Sequence, residues 1–200
     1  VLAQARYLKS LLVVGGDGKR HPAFEKLVAG QPDRIDPADT TEDDLAGWLF
    51  TSGSTGLPKA AVHAHGDFLY NIERYARQVV HYCEDDLTVA VPKLFFGYAT
   101  GTNLMFPFAA GGSIALFAER STPERMFDMI ERYRPTILTS VPTTINGMLS
   151  LPGHERRDLE SLRVCLSAGE ALPAELYRRW VDTFGVEILF DHINTAELST

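Results

Sequence analysis

Residues 122–142 read Thr122-Pro-Glu-Arg-Met-Phe-Asp-Met-Ile-Glu-Arg-Tyr-Arg-Pro-Thr-Ile-Leu-Thr-Ser-Val-Pro142, one complete helix-to-strand unit. Thr122 suits the N-cap, because its side-chain oxygen can accept from an unpaired N–H of the first turn. Pro123 suits the first helical position, where its missing N–H costs nothing, and Glu124 puts negative charge at the positive end of the helix. Phe127, Ile130 and Tyr133 recur on one helical face. Thr136 to Thr139 then reads as a short strand, closed by Pro142.

The alternation extends in both directions. Toward the C-terminus come a helix near Thr144 to Leu149, a strand over Leu162 to Leu166, and a helix over Pro173 to Phe184. Leu176, Trp180 and Phe184 share a face of that last helix, Gly185 ends it, and a further strand starts at Glu187. Toward the N-terminus lie a strand over Leu87 to Val91 and a helix over His65 to Tyr82 with Phe68, Ile72, Tyr75 and Val79 on its apolar face. Two short strands precede it, Trp48 to Phe50 and Ala60 to Val62. Leu11 to Gly15 reads as a short buried strand, and Gly16 to Asp44 as a polar surface connection with at most one short helix near Phe24 to Ala29. Helices of about a dozen residues alternating with short strands predict an α/β fold, a largely parallel sheet flanked by helices.

The chain has 200 residues, 45% hydrophobic and 22% charged, with a formal net charge of −7. A chain of this length buries roughly 70% of the surface it exposes when unfolded, so it needs no disulfide or zinc framework. The Lys and Arg residues are scattered and the balance is acidic, which argues against a nucleic-acid partner. The two cysteines, Cys83 and Cys165, form no metal or redox pair; both read as buried hydrophobes, and a reducing, cytoplasmic location is expected. No signal peptide opens the chain. Leu94 to Phe117 carries no charge and is long enough to span a bilayer. Its glycines at 97, 101, 111 and 112 divide it instead into a loop, a short helix, a Gly-Gly turn and a buried strand over Ser113 to Phe117.

The chemistry is concentrated in Thr51-Ser-Gly-Ser-Thr-Gly-Leu-Pro-Lys59. Gly53 and Gly56 let the backbone turn and approach a ligand closely. Exposed N–H groups in such a loop make an anion-binding concavity. Thr51, Ser52, Ser54 and Thr55 add neutral donors, and Lys59 adds a compact positive charge. The loop reads as a polyphosphate cradle. It is not a P-loop, which requires Gly-Lys-Ser/Thr where this chain has Gly56-Leu57-Pro58-Lys59-Ala60. About seven fixed positions of this kind recur by chance on the order of once in 10^8 to 10^9 windows, which separates the string from an ordinary Ser/Gly turn.

With those residues in view, the chain resembles the adenylate-forming enzymes, most closely the benzoate–CoA ligases and related aryl-CoA ligases, over essentially its whole length. The loop 51–59 is similar to their signature phosphate loop. Lys93-Leu-Phe-Phe-Gly-Tyr98 resembles the aryl-ligase form of the aromatic substrate motif, with Phe96 where many members carry His. Ser167-Ala-Gly-Glu-Ala-Leu-Pro173 resembles the adenine-contacting segment. Asp191-His-Ile-Asn-Thr-Ala-Glu197 aligns with a motif of the type Asp-Gly-Ile-Gly-Ser-Thr-Glu, departing from it at Asn194 and Ala196; Phe190 is one extra residue, and Thr200 falls where aryl-CoA ligases often have His.

The resemblance implies roles for these positions. Thr51, Ser52, Gly53, Ser54, Thr55, Gly56 and Lys59 hold phosphates, with Lys59 also catalytic. Ala168, Gly169, Glu170, Ala171, Asp191, His192, Ile193 and Thr195 surround adenine. Phe96, Gly97, Tyr98, Asn194 and Thr200 line the acid pocket, where Gly97 leaves room for a ring. Glu197 is catalytic through Mg²⁺. Without the resemblance, Phe95, Phe96 and Tyr98 read as core aromatics and Glu170 as a solvated acid. His63 and His65, two apart, face the same way on a strand; no further ligands support a metal pair, and a structural or supporting role near the nucleotide is expected. Arg156-Arg157-Asp158 reads as a solvated charge run, and Cys165 as a buried strand residue.

The implied activity joins a benzoate-like carboxylate to coenzyme A through an acyl-adenylate made from ATP. The alternatives are a ligase for a small alicyclic or aliphatic acid, which the changes at Asn194 and Thr200 suggest, and a non-catalytic nucleotide-binding module, which Ala196 suggests. The partners expected are a small carboxylic acid, ATP and coenzyme A, with no membrane span. The resemblance also implies that residues 1–200 form a central part of an N-terminal, AMP-binding adenylation domain. A C-terminal domain with its catalytic lysine lies outside them, so the piece alone is expected to be inactive.

Overall fold

The computed structural model describes residues 7–51 and 59–190, in two compact units, Val1–Thr40 and Thr41–Thr200. In the first unit, helix α1 (Phe24–Val28) falls where expected. Residues 11–15 form no strand. Val13 makes only an isolated bridge to Ala23, through Val13 N–H to Pro22 O and Phe24 N–H to Val13 O, both at 3.0 Å. With no neighbouring strand to bury them, Val13 and Val14 are exposed.

The second unit begins with an antiparallel hairpin, β1 (Leu45–Thr51) and β2 (Lys59–Ala64). Trp48 pairs with Val62, and Thr51 with Lys59 next to the connection between the strands. Helix α2 (His65–Asn71) follows, its entry fixed by the Asp67 carboxylate accepting from Ala64 N–H at 2.9 Å. It continues in π-type turns over Ile72–Val80. Wider turns close i→i+5 hydrogen bonds, so the buried positions become Ile72, Ala76 and Val80, while Val79 turns outward. The face expected at normal helical period is corrected accordingly.

Five strands form the main sheet: β3 (Leu87–Ala90), β4 (Ser113–Ala115), β5 (Ile137–Ser140), β6 (Val164–Ser167) and β7 (Ile188–Phe190), in the order β4-β3-β5-β6-β7. Every pair is parallel, as the helix–strand alternation predicts. Between β3 and β4 the uncharged stretch folds as α3 (Gly97–Thr100), a π-type segment Gly101–Met105 and α4 (Phe106–Ala110). Among the described residues no helix is long and apolar enough to cross a membrane.

Helices α5 (Pro123–Tyr133), α6 (Pro142–Ser150) and α7 (Ala174–Phe184) complete the crossovers. Thr122 Oγ1 accepts from Arg125 N–H at 3.3 Å, the expected cap, and Gly185 ends α7 at φ +68°, in the left-handed region. Strand residues point alternately to opposite faces. Leu138, Cys165 and Ile188 meet Phe127, Ile130, Ile145, Met148 and Trp180 on one side. Ile137, Val164 and Leu166 meet Ile72, Ala76, Val80 and Phe106 on the other. A sheet covered on both faces accounts for the near-continuous apolar strands.

Two charged clusters fasten this frame. At the amino ends of the strands Asp86, only 2% exposed, accepts from Arg163 Nε at 2.9 Å and Thr136 Oγ1 at 2.6 Å through one oxygen. The other oxygen accepts from the second Arg163 nitrogen at 2.8 Å and from Cys83 N–H at 2.9 Å. All four lone-pair directions of the carboxylate are used, as a buried charge requires. The run 156–158 is not simply solvated. Arg157 lies 2.8 Å from Glu131 and 3.1 Å from Asp128 and stacks 4.9 Å from the Phe127 ring centre, while Asp158 pairs with Arg134 at 2.6 Å. Cys165 is buried as expected, but Cys83 is exposed, because it sits in the turn that caps Asp86.

Candidate active site

Because all five strands are parallel, their carboxyl ends share one edge. The chain leaves β3 toward β4 and leaves β5 toward β6, so the topological switch lies between β3 and β5, the place where open α/β sheets receive ligands. The segments reaching this edge are Val91–Phe96 after β3, Val141–Pro142 after β5 and Ala168–Pro173 after β6.

The hairpin is joined to this edge by one close contact. A Cβ placed on Gly97 would lie 2.9 Å from Leu49 Cδ1 and 3.1 Å from Cδ2. The space a side chain at Gly97 would take therefore holds Leu49. Leu49 is two residues before Thr51, so the strand that leads into the phosphate loop rests on the residue that begins α3. Thr51 and Lys59 stand paired at the end of the hairpin where β1 leads into the connection to β2, and Lys59 is exposed.

The aromatic motif divides. Phe95 and Phe96 are 80% and 54% exposed, with ring centres 4.5 Å apart. Tyr98 turns inward, half-buried against the cluster around Phe106. The turn between them is held by Thr100 Oγ1, which donates to Leu94 O at 2.7 Å.

After β6, Ala168 is fully buried and Gly169 has φ +86°, a backbone state that a side chain would strain. The turn carries Glu170 outward, where both carboxylate oxygens accept from Thr143 Oγ1, at 2.7 and 3.0 Å. Among the described residues no cation pairs with Glu170. Two further hydroxyls at this edge, Thr139 Oγ1 and Ser167 Oγ, are buried without a partner among the described residues, a costly state that calls for an explanation such as a functional role. Thr143, Thr139 and Leu49 were not singled out in the sequence. The available signal was position alone: Thr139 and Thr143 lie near the end of β5 or just beyond it, and Leu49 lies inside β1.

His63 is buried, with Nδ1 3.6 Å from the Asp67 carboxylate and its ring 6.3 Å from that of Phe68. His65 is already the first residue of α2 and is exposed, so strand alternation does not align the two histidines. Among the described residues no group of three metal-ligating side chains occurs. Ser52, Gly53, Ser54, Thr55 and Gly56 lie outside the described residues, as do Asp191, His192, Ile193, Asn194, Thr195, Ala196, Glu197 and Thr200.

The profile of the AMP-binding enzymes matches residues 4–192. The chain belongs to the AMP-binding enzyme family. Among relatives in this family, the benzoate–CoA ligase of Thauera aromatica is 40% identical over 198 residues, covering 99% of this chain and 37% of that protein. An anthranilate–CoA ligase solved with anthranoyl-AMP superposes with a TM-score of 0.84 at 34% identity, over 90% of this chain and 35% of that one. A benzoate–CoA ligase from Burkholderia xenovorans LB400 superposes at 0.78 and 36% identity, over 88% of this chain and 35% of that one. The chain thus spans little more than a third of the length of these three relatives, and its parallel sheet and flanking helices are the fold it shares with them.

Proposed function

We propose that this chain is the central part of the adenylation domain of an AMP-forming aryl-CoA ligase, acting on benzoate or a substituted benzoate, whose catalytic-lysine domain lies elsewhere in the whole protein. The observation that carries the reading is the 40% identity to a benzoate–CoA ligase over 99% of the chain, which includes the phosphate loop that connects β1 to β2 in sequence.

In the first half-reaction a carboxylate oxygen attacks the α-phosphorus of ATP. The new C–O–P bond forms as the bond to the pyrophosphate oxygen breaks, and acyl-adenylate and pyrophosphate result. In the second, the coenzyme A thiolate attacks the acyl carbon and AMP leaves. Charge builds on the β- and γ-phosphates as pyrophosphate departs. Stabilising that charge is the task of Lys59 and of the hydroxyl and backbone donors of Thr51, Ser52, Gly53, Ser54, Thr55 and Gly56. Glu170, with Ala168, Gly169 and Ala171 beside it, borders the adenine, joined by Asp191, His192, Ile193 and Thr195. Phe96, Gly97, Tyr98, Asn194 and Thr200 border the acid.

Mg²⁺ travels with ATP and needs one or two protein carboxylates rather than a protein cage. Glu197 is the carboxylate assigned to it, and the ion would neutralise phosphate charge. Two free thiols, one of them exposed, accord with a reducing cytoplasm.

Leu49, filling the open side of Gly97, also favours a second reading in which the acid is a compact alicyclic or aliphatic one. Benzoate-dependent ATP–pyrophosphate exchange by the full-length protein tests both. Exchange with benzoate above all aliphatic acids supports the aryl reading, and the reverse order supports the second. ATP binding without exchange for any acid would refute both and leave a non-catalytic nucleotide module.

A further inference from the structure

On the β4 side of β3, away from the switch, lies a cavity of about 150 Å³. Its walls include Ala115, Leu116 and Phe117 at the end of β4, and Ala90 and Leu94 at the end of β3. Two polar side chains, Lys93 and Asn103, also line it.

Asn103 is 2% exposed. Thr88 Oγ1 donates to its Oδ1 at 2.6 Å and so fixes the carboxamide; the N–H2 end has no partner among the described residues. Its backbone, at φ −123° and ψ 17°, breaks the helical path inside the π-type segment. Such interruptions recur at functional sites. The Lys93 ammonium is 3.5 Å from the Phe117 ring centre and donates to Phe117 O at 3.0 Å. Among the described residues no carboxylate lies within ion-pair distance of it. Burial lowers its pKa, opposed by the charge of Glu119. The cation is therefore partly stripped of water; its direct contacts are a carbonyl and a ring face, and the Glu119 charge acts on it from beyond ion-pair distance.

We propose that this cavity binds a small organic carboxylate, held by the Lys93 ammonium and the Asn103 carboxamide, with its short apolar tail or ring against Ala115, Leu116 and Phe117. The Lys93 ammonium and the Asn103 N–H2 are donors only, so the ligand must present acceptors. A cation that no carboxylate among the described residues touches directly favours an anion. The apolar walls favour a tail that inorganic phosphate lacks. The site lies on the opposite side of β3 from Thr143 and Glu170, and the proposal does not depend on the ligase reading.

Calorimetric titration of the full-length protein without ATP tests it, with benzoate as the probe, benzamide as its neutral counterpart and inorganic phosphate as the tail-less anion. Lys93→Met is expected to weaken benzoate binding at this site roughly tenfold, as loss of a charge-assisted contact does. Lys93→Arg should restore most of it, and Asn103→Leu, which keeps the volume but removes the donor, should weaken it several-fold. Benzamide and phosphate should each bind the unaltered protein far more weakly than benzoate. A crystal of the full-length protein soaked in benzoate should show the acid between Lys93 and Asn103. An empty cavity at saturating benzoate, or benzoate binding unchanged in both Lys93→Met and Asn103→Leu, would overturn the assignment. Pyrophosphate exchange reads the site on the other side of β3, so either reading can fail while the other stands.

Discussion

Thr143 Oγ1 donates to both oxygens of the Glu170 carboxylate, and this one hydroxyl joins the turn after β5 to the turn after β6. Both residues are exposed, so the bond contributes little to stability. Its effect is to hold an acceptor in one place. Thr143→Val is expected to change the unfolding free energy by less than about 1 kcal/mol. On the reading that Glu170 borders the nucleotide, it should raise the KM for ATP several-fold and leave kcat near its original value. Steady-state exchange at varied ATP measures the split, and an unchanged KM would detach Thr143 from nucleotide binding.

The same substitution at two glycines should cost very different amounts. A Cβ on Gly112 would meet Asp86 O at 2.7 Å and Cys83 O at 3.1 Å, both backbone. Backbone cannot step aside, so Gly112→Ala should destabilise by about 3 kcal/mol. At Gly97 the obstacle is the mobile end of Leu49, and Gly97→Ala should cost under about 1 kcal/mol. Urea midpoints at equal m-value compare them directly.

Acid should expose the Asp86 cluster. Burial alone would raise this carboxyl's pKa, but hydrogen bonds from Arg163, Thr136 and Cys83 outweigh it and lower the value from 3.8 to about 2. Ionised Asp86 therefore stabilises the fold fully above about pH 4 and loses that contribution, about 2 kcal/mol, as pH falls toward 2. Asp86→Asn should remove this part of the acid dependence and cost about 3 kcal/mol at neutral pH by leaving Arg163 uncompensated. Denaturation curves between pH 2 and 7 for both proteins would show a shared slope if the cluster were not responsible.

Lys59 is exposed, and no carboxylate lies within ion-pair distance of it among the described residues. Its positive charge can be removed without leaving a buried partner behind. Lys59→Met in the full-length protein should leave stability within about 0.5 kcal/mol and slow pyrophosphate exchange about 10²-fold. Equal rates in the two proteins would exclude Lys59 from phosphate charge stabilisation.

What was legible in the sequence was local. The Thr122 cap, Pro123 at the helix start and the Gly185 stop each depend on residues within one turn, and all three are present as read. The alternation of helices and strands carried the parallel sheet with it, because parallel neighbours require crossovers. Errors arose where a segment needed something distant. Val13 had β-strand character but no strand to pair with. The apolar face of residues 65–80 was read at 3.6 residues per turn, and the π-type winding moved it to Ile72, Ala76 and Val80. Arg157 looked solvated because Asp128 and Glu131 lie more than twenty residues away in the chain. Glu170 was legible as a candidate, but its anchor Thr143 is 27 residues away and no spacing rule connects them. The departure of Cys83 from the core followed from Asp86, whose burial no periodicity marks.

The placement of the two tryptophans gives the molecule two separate optical probes. Trp180 is sealed between α7 and the sheet, whereas Trp48 stands on the outward face of the hairpin, more than half exposed. Buried indole emits to the blue and resists quenching by iodide, and hydrated indole emits to the red and is quenched. The red, quenchable part of the emission therefore follows the strand that runs into the phosphate loop. The blue part follows the integrity of the core, and one cuvette distinguishes a ligand's arrival from the loss of the fold.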